Sequence, residues 1–353
     1  MISLNVISKI LLKNEFGFFS LQGFLFKNLK TINLNKCLSI RILPDLCTPN
    51  LEKLDISHCE NLIEVHEAIG SLDKLKSWNL RECKKLQILP SSFKLKSLEF
   101  IYLCDCVSLE TLPDLCAPNL VTLDIGGCEN LIGVHEAFGS LDKLSHWELI
   151  NCKKLQIFPN TLRLKSLEYL GLNGCVSLEK FPNIHPETKC EDLYFCDCNI
   201  REWPSSLGYL ISGLGWLVLY DCLNLGNFLN SIRGCKFTNL RVLQVGNCDG
   251  NIIESRILMK PDSFPSLIEL YIDGSNIVTI PRSISRFTTL QQLHMRYCKK
   301  LREIPRLPRS IRSVNASNCA SLDLPSSCRL LNQVSPLPPL CLCKLSDIYY
   351  KNL

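Results

Sequence analysis

Apolar positions recur along the chain in one phrase, Leu-x-x-Leu-x-Leu-x-x-Cys-x-x-Leu. It reads as Leu51, Leu54, Ile56, Cys59, Leu62; as Leu98, Ile101, Leu103, Cys106, Leu109; as Leu167, Leu170, Leu172, Cys175, Leu178; and as Leu290, Leu293, Met295, Cys298, Leu301. The last two apolar residues of each Leu-x-x-Leu-x-Leu alternate with a polar one, the period-two pattern of a short strand with one buried face. The first apolar position of each unit falls at 29, 51, 75, 98, 120, 144, 167, 190, 214, 240, 267, 290 and 311, giving thirteen units with steps of 21 to 27 residues. Such steps are too short for most full β-α-β units, so each return leg must be a brief helix, a 3-10 turn or an extended segment. The predicted fold is α/β: a curved solenoid with a parallel sheet on its concave face and short helical, 3-10 or extended segments on its convex face. Pro44, Pro90, Pro113, Pro159, Pro182, Pro204, Pro281 and Pro305 close many units. Lacking an N–H, they are expected to end the strand leg.

A longer period lies above this one. Residues 43–111 align without a gap on residues 112–180, with 46 of 69 positions identical. Three repeats were copied as a block. A catalytic constellation is built once, whereas lengthening a stack enlarges a surface, so the copy favours binding over catalysis. The predicted organisation is an N-terminal cap or incomplete repeat over 1–28, bearing Phe16, Phe18, Phe19, Phe24 and Phe26, a solenoid over 29–331, and a tail over 332–353.

Composition narrows the chemistry. A chain of 353 residues that is 46% hydrophobic can bury a core, and 39 basic against 34 acidic residues leave a net charge of +5, too little for a general affinity for nucleic acid. Residues 1–26 are interrupted by Lys9, Lys13 and Glu15 and do not read as a secretory signal, and no uncharged apolar run of about 18 residues suggests a membrane span. A reducing compartment is expected. Cysteine stands out, at 21 residues. Twelve of these occupy one repeat position: Cys37, Cys59, Cys83, Cys106, Cys128, Cys152, Cys175, Cys198, Cys222, Cys248, Cys298 and Cys319. That position turns inward, where a thiol packs as a small hydrophobe and donates weakly to a freed carbonyl. Disulfides along such a ladder would break its regularity. Cys104-x-Cys106, Cys196-x-Cys198 and Cys341-x-Cys343 place one residue between thiols, closer than structural zinc spacing, so no metal or other cofactor is expected.

Other motifs fail as chemistry. His66-Glu67 and His135-Glu136 lack the second histidine of a zinc-protease helix, and they read as polar residues at the edge of the outer leg. Trp78 and Trp147 fall on inward strand positions. Neither a phosphate loop nor a Gly-x-Ser-x-Gly elbow occurs, so no enzymatic activity is expected. The informative residues are those that strand alternation turns outward on the concave side: Phe100, Tyr102, Tyr169, Tyr194, Trp216, Tyr220 and Tyr271, with Asp192, Glu269, Asp273, His294 and Arg296 among them. Aromatic and arginine side chains dominate binding hot spots. Aromatics also suit strands and stack across them, so a contact surface and a strand-forming row both remain open.

Pro49 to Ile56, Cys59 to His66, Ile69 to Leu75, Cys83-Lys84-Lys85-Leu86, Leu95-Lys96-Ser97-Leu98-Glu99 and Cys175 to Pro182 together resemble the leucine-rich-repeat region of plant intracellular immune receptors. The class is the nucleotide-binding one with an N-terminal Toll/interleukin-1-receptor domain. The likeness covers about residues 29–331, and its Val-His-x-x-Ile-Gly and Leu-Lys-Ser-Leu-Glu phrases are not shared by generic leucine-rich repeats. Secreted plant repeats tend instead to carry Gly-x-Ile-Pro and many glycosylation sequons; this chain has one sequon, Asn315-Ala316-Ser317. The resemblance implies a cytoplasmic sensor, with the nucleus as the alternative site. It would bind a pathogen effector or an altered host protein, and contact a nucleotide-binding domain within a longer receptor. Neither nucleic acid nor membrane is an expected partner. The signalling and nucleotide-binding domains are absent from this sequence, so the chain by itself is expected neither to bind ADP or ATP nor to signal. A stand-alone scaffold, adaptor or decoy without a nucleotide switch is the alternative.

Overall fold

The computed structural model describes residues 26–222, 224–247, 260–323 and 326. The expected N-terminal cap up to residue 25, the tail from 332, Cys248 and the Cys341-x-Cys343 pair lie outside the described residues. Thirteen strands form one parallel sheet in sequence order. They are β1 (Thr31–Asn33), β2 (Lys53–Asp55), β3 (Ser77–Asn79), β4 (Phe100–Tyr102), β5 (Thr122–Asp124), β6 (His146–Glu148), β7 (Tyr169–Gly171), β8 (Asp192–Cys196), β9 (Trp216–Tyr220), β10 (Val242–Gly246), β11 (Glu269–Tyr271), β12 (Gln292–His294) and β13 (Ser313–Asn315). One strand per predicted unit places the sheet where the apolar phrase put it. The fold is a leucine-rich-repeat solenoid.

The middle residue of each three-residue strand is inward, and the leucines of the repeat form one continuous core with Trp78 and Trp147 fully buried. On the far side the chain returns through short 3-10 turns such as Glu67–Ser71, Glu136–Ser140 and Arg282–Arg286. A helix at Leu225–Ser231 fills the wider step from 214 to 240, and a helical turn at Gly208–Ile211 extends the return leg of the preceding unit. A second set of short parallel pairings runs beside the main sheet, including Ile42–Leu43 with Glu64–Val65 and Thr161–Leu162 with Asn183–Ile184. This ladder corrects the reading of the prolines. Pro44 follows Ile42–Leu43, and Pro90 follows Ile88, which bridges to Glu64. The prolines therefore close the second ladder rather than the concave strand.

Two local devices fix each coil. All thirteen units turn out of the strand through one left-handed residue, among them His58, Asp105, Gly127, Asn151, Gly174 and Tyr297, with φ between 49° and 73° across the set. Asp, Asn and Gly hold most of these places, as left-handed backbone favours. The next residue is the repeat cysteine, whose thiol donates backwards to the preceding coil. Cys59 Sγ reaches Leu34 O at 3.2 Å, Cys83 reaches Ile56 O at 3.2 Å, Cys128 reaches Leu103 O at 3.2 Å, and Cys198 reaches Leu172 O at 2.9 Å. Burial pushes Cys59 up to about 11 and Cys83 up to about 12, so these thiols stay protonated donors. The seventeen described cysteines form no disulfide, and no group of three metal-binding side chains occurs among the described residues.

Unit eleven carries Ser275 at the cysteine position, 1% exposed, and its Oγ has no hydrogen-bond partner. A buried hydroxyl left unpaired costs about 1–3 kcal/mol, while a thiol tolerates the same place as a hydrophobe. Ser275→Cys is expected to stabilise the chain by about 1 kcal/mol in denaturant titration; an unchanged or lower midpoint would refute this account of the ladder.

The Val-His-x-x-Ile-Gly phrase also has a mechanical reading. His66 Nδ1 accepts from Ala68 N at 3.2 Å, capping its 3-10 turn, and His135 does the same for Ala137 at 3.2 Å. Gly70 lies against the next coil, where an added Cβ would stand 2.5 Å from Ser92 O and 2.8 Å from Pro90 Cβ; Gly139 meets Thr161 O and Pro159 at the same spacings. Gly70→Ala should therefore push two coils apart and cost about 1–3 kcal/mol, read as a lowered melting temperature by circular dichroism.

Candidate functional site

Side chains that leave the strands outward form rows running across the sheet, because the strands pair in register. One row passes from Phe100 through Thr122, His146, Tyr169 and Asp192 to Trp216 and on to Glu269. A second passes from Tyr102 through Asp124, Glu148, Gly171 and Tyr194 to Tyr271 and His294. Tyr220, Asp273 and Arg296 hold the next outward position of their units. Eleven of the twelve predicted residues are half-buried on this face; Asp273 is the exception, at 6% exposed.

The structure brings three predicted aromatics into one stack and adds a histidine. His146 lies on Tyr169 with ring centres 4.4 Å apart, Tyr169 meets Tyr194 at 5.2 Å, and Tyr194 meets Trp216 at 6.4 Å. Phe100 stands two strands before His146 and is separated from it by Thr122. Tyr220 lies across Gly246, where a Cβ would collide with its ring, so it points away from the stack. Tyr102 carries the Arg81 guanidinium 4.4 Å above its ring, and Arg81 in turn pairs with Asp124 at 2.7 Å.

The remaining predicted residues satisfy one another. Arg296 Nε and Nη2 donate to Asp273 Oδ2 at 2.9 and 2.8 Å, and its backbone N–H reaches Oδ1 at 2.6 Å. Tyr271 donates to Glu269 at 2.7 Å, Gln292 donates to the same carboxylate at 2.9 Å, and Tyr271 stacks on His294 at 4.3 Å. This patch is a closed network, while the stack further along the sheet presents aromatic faces.

Sequence reasoning passed over Arg81, Asp124, His146 and Glu148. A signal for the last two was available, since they flank the inward Trp147. Glu148 carries a buried, unpartnered carboxylate oxygen in the site. Its Oε1 is closed off from solvent without a well-formed hydrogen bond, and it sits over Gly171, whose missing side chain makes the space. Burial pushes its carboxyl up to about 7; the Tyr169 hydroxyl pulls it part of the way back, and the Asp124 charge adds to the rise. Burial also lowers His146 and His294, which leaves both neutral at pH 7, and it raises Asp192, with Glu191 adding to the effect.

The shift of Glu148 has a definite sign in stability. Between about 4.5 and about 7 the folded chain keeps a proton that the unfolded chain has released, so stability falls as pH rises through that window. Glu148→Gln is expected to raise the melting temperature at pH 8, by up to roughly 3 kcal/mol in stability, and to change little at pH 4.5. Thermal melts of both proteins at the two pH values check this; an equal gap at both would remove the carboxylate as its cause.

No family model matches the chain. Over 268 residues it is 31% identical to Protein SUPPRESSOR OF npr1-1, CONSTITUTIVE 1 of Arabidopsis thaliana, a match covering 74% of this chain and 18% of that protein. It is 28% identical over 296 residues to TMV resistance protein N of Nicotiana glutinosa, covering 79% and 25%, and 28% identical over 339 residues to Disease resistance protein RPP4 of Arabidopsis thaliana, covering 79% and 27%. The matches thus span 18% to 27% of the length of these relatives. Among solved structures, a leucine-rich-repeat protein of Leptospira interrogans aligns over 90% of this chain and 85% of its own, at 18% identity and a TM-score of 0.46.

Proposed function

Because this chain belongs with the leucine-rich-repeat regions of plant disease resistance proteins of the Toll/interleukin-1-receptor nucleotide-binding class, we propose that it is a recognition module of an immune receptor. It acts by binding rather than catalysis, on the concave face, in the cytoplasm. The ligand is a pathogen effector or a host protein altered by one, and in a longer receptor the same solenoid contacts the nucleotide-binding domain.

The observation that carries this reading comes from the internal copy. Of fifteen inward repeat positions in residues 43–111, fourteen are identical in 112–180, the difference being Ile101 against Leu170. Of nine outward strand positions, eight differ, and only Asp55 and Asp124 agree. A block that began as a duplicate has kept the inward positions of its strand leg, while far-side core residues differ at Ile69 against Phe138, Leu89 against Phe158 and Phe93 against Leu162, and it has changed the face that strand alternation exposes. Packing accounts for the first half, since interiors feel a change of one methylene. Exposed positions off the strand face, such as Glu60 and Glu129, Lys84 and Lys153, and Lys85 and Lys154, stayed identical, so change concentrated on the strand face supports a requirement on that face.

Immobilised chain should recover partners from extracts of infected leaf tissue, and Trp216→Ala with Tyr194→Ala should cut that recovery. Each truncation is expected to cost about 1 kcal/mol or more of binding, about fivefold in affinity, at unchanged melting temperature. A convex control, Lys84→Ala, should recover partners as the wild type does. Equal recovery by the concave double variant, or loss with the convex one, would move the binding surface elsewhere.

A further inference from the structure

The divergence of the copied block has a direction. Its first version presents Lys53, Asp55 and Arg81 at the outward strand positions, a sum of +1; its second presents Asp124 and Glu148, a sum of −2. Lys53 aligns with Thr122, Arg81 with Ile150, and Asn79 with Glu148. The upper edge of the first version also neutralises itself, with Glu52 held between Lys30 at 2.7 Å and Lys76 at 3.2 Å, while the second has Val121 and Ser145 in place of Glu52 and Lys76. From β5 to β11 no lysine or arginine stands at an outward strand position, although the whole chain is +5.

Within that stretch three outward carboxylates have no ion-pair partner among the described residues, and one of them, Glu269, is held by hydrogen bonds from Tyr271 and Gln292, which leaves two over. Asp124 is taken by Arg81 and Asp273 by Arg296, but Glu148 and Asp192 have no ion-pair partner among the described residues. They bracket the aromatic stack: Glu148 lies beside Tyr169 over the Gly171 gap, and Asp192 pairs in register between Tyr169 and Trp216. Glu148 Oε1 and Trp216 Nε1 are both shut off from solvent without hydrogen bonds. Desolvated carboxylates beside half-buried aromatic rings are matched by one kind of side chain. A guanidinium donates in a planar fork to a carboxylate and stacks flat on an aromatic ring, whereas an ammonium does only the first well.

We propose that the concave face across β6 to β9 is a docking surface for a basic, arginine-bearing segment of a protein partner, with guanidinium groups seated against Glu148 and Asp192 and stacked on Tyr169 and Tyr194. This rests on the reading of the concave face as the recognition surface, and it adds the chemistry of what is recognised. The face carries negative charge on a positive molecule, so the attraction is local. Long-range steering does not supply it, because the Debye length is about 8 Å at physiological salt.

The test uses the full chain and capped peptides of alternating arginine and alanine, lysine and alanine, or glutamate and alanine, followed by fluorescence anisotropy and calorimetry. The arginine peptide should bind at least threefold more tightly than the lysine peptide, and the glutamate peptide should not bind measurably. Glu148→Gln with Asp192→Asn should weaken arginine-peptide binding at least tenfold without lowering the melting temperature. A convex control that removes two carboxylates, Glu60→Gln with Glu129→Gln, should leave binding unchanged. Binding by the concave carboxylate variant equal to wild type overturns the proposal, as does an equal loss in the convex control. If Trp216→Ala weakens the peptide while the carboxylate variant does not, the face stands as a contact surface and the charge assignment is wrong. If neither does, the concave reading fails with it.

Discussion

The structure depends on bonds that each coil makes to its neighbours. Where the chain leaves each strand it turns through a left-handed residue, and the carbonyl just before that turn accepts one backbone bond within its own coil, as Leu34 O does from Cys37 N at 3.1 Å and Leu172 O from Cys175 N at 3.2 Å, which leaves its second lone pair for a donor from outside. The following coil supplies the donor, through the thiol of its repeat cysteine, as between Cys59 and Leu34 or Cys198 and Leu172. These backbone bonds run in the opposite direction, with Leu34 N donating forward to Asp55 O and Lys36 N to Ser57 O. Each repeat is therefore completed by its neighbour, and stability grows by adding coils rather than by deepening a core. A thiol suits this role better than a hydroxyl because it loses little if the bond is imperfect, which is the lesson of Ser275 in unit eleven.

That arrangement explains what could be read from the chain without coordinates. Leucines, strand starts and inward cysteines follow from local period, because a solenoid makes every unit meet the same environment; Leu170 is buried for the same reason as Leu54. The prolines were misplaced since the second ladder has only two-residue pairings, such as Asn183–Ile184, too short to leave a period of its own. The pairing of outward residues was not legible either. Asp273 and Arg296 are 23 residues apart and appeared as two independent candidates, yet one coil step brings them into bidentate contact. The stack of His146, Tyr169, Tyr194 and Trp216 hid for the same reason, as its members are one step apart in space and 22 to 25 apart in sequence.

Separation of duties follows from the period of two. Inward residues answer to packing with both neighbouring coils, so the copied block retains Trp78 as Trp147 and Cys83 as Cys152. Outward residues answer to almost nothing inside the molecule, and the exceptions are instructive. Asp55 and Asp124 are the matched outward pair that did not diverge, and in each the side chain accepts the backbone N–H two residues on, from Ser57 at 3.1 Å and Gly126 at 3.3 Å. An outward aspartate that holds its own turn is part of the scaffold, and it stayed. Asn79 made a comparable bond to Arg81 N at 3.2 Å, and its counterpart is Glu148.

That exchange separates structural from functional residues on this face. Asparagine at position 79 closes its turn with a neutral side chain, which costs the fold little. Glutamate at the matching place is pressed against Tyr169, denied solvent at one oxygen, and held so that its charge is disfavoured up to about pH 7. The Tyr169 hydroxyl repays only part of that, and the neighbouring Asp124 is an acid already committed to Arg81. Groups kept at a cost to stability concentrate where a protein meets something else. A carboxylate poised in a desolvated notch beside stacked rings gains most from a partner that brings a positive charge and a flat surface together, and Glu148 beside Tyr169 holds that combination in the second copy of the block.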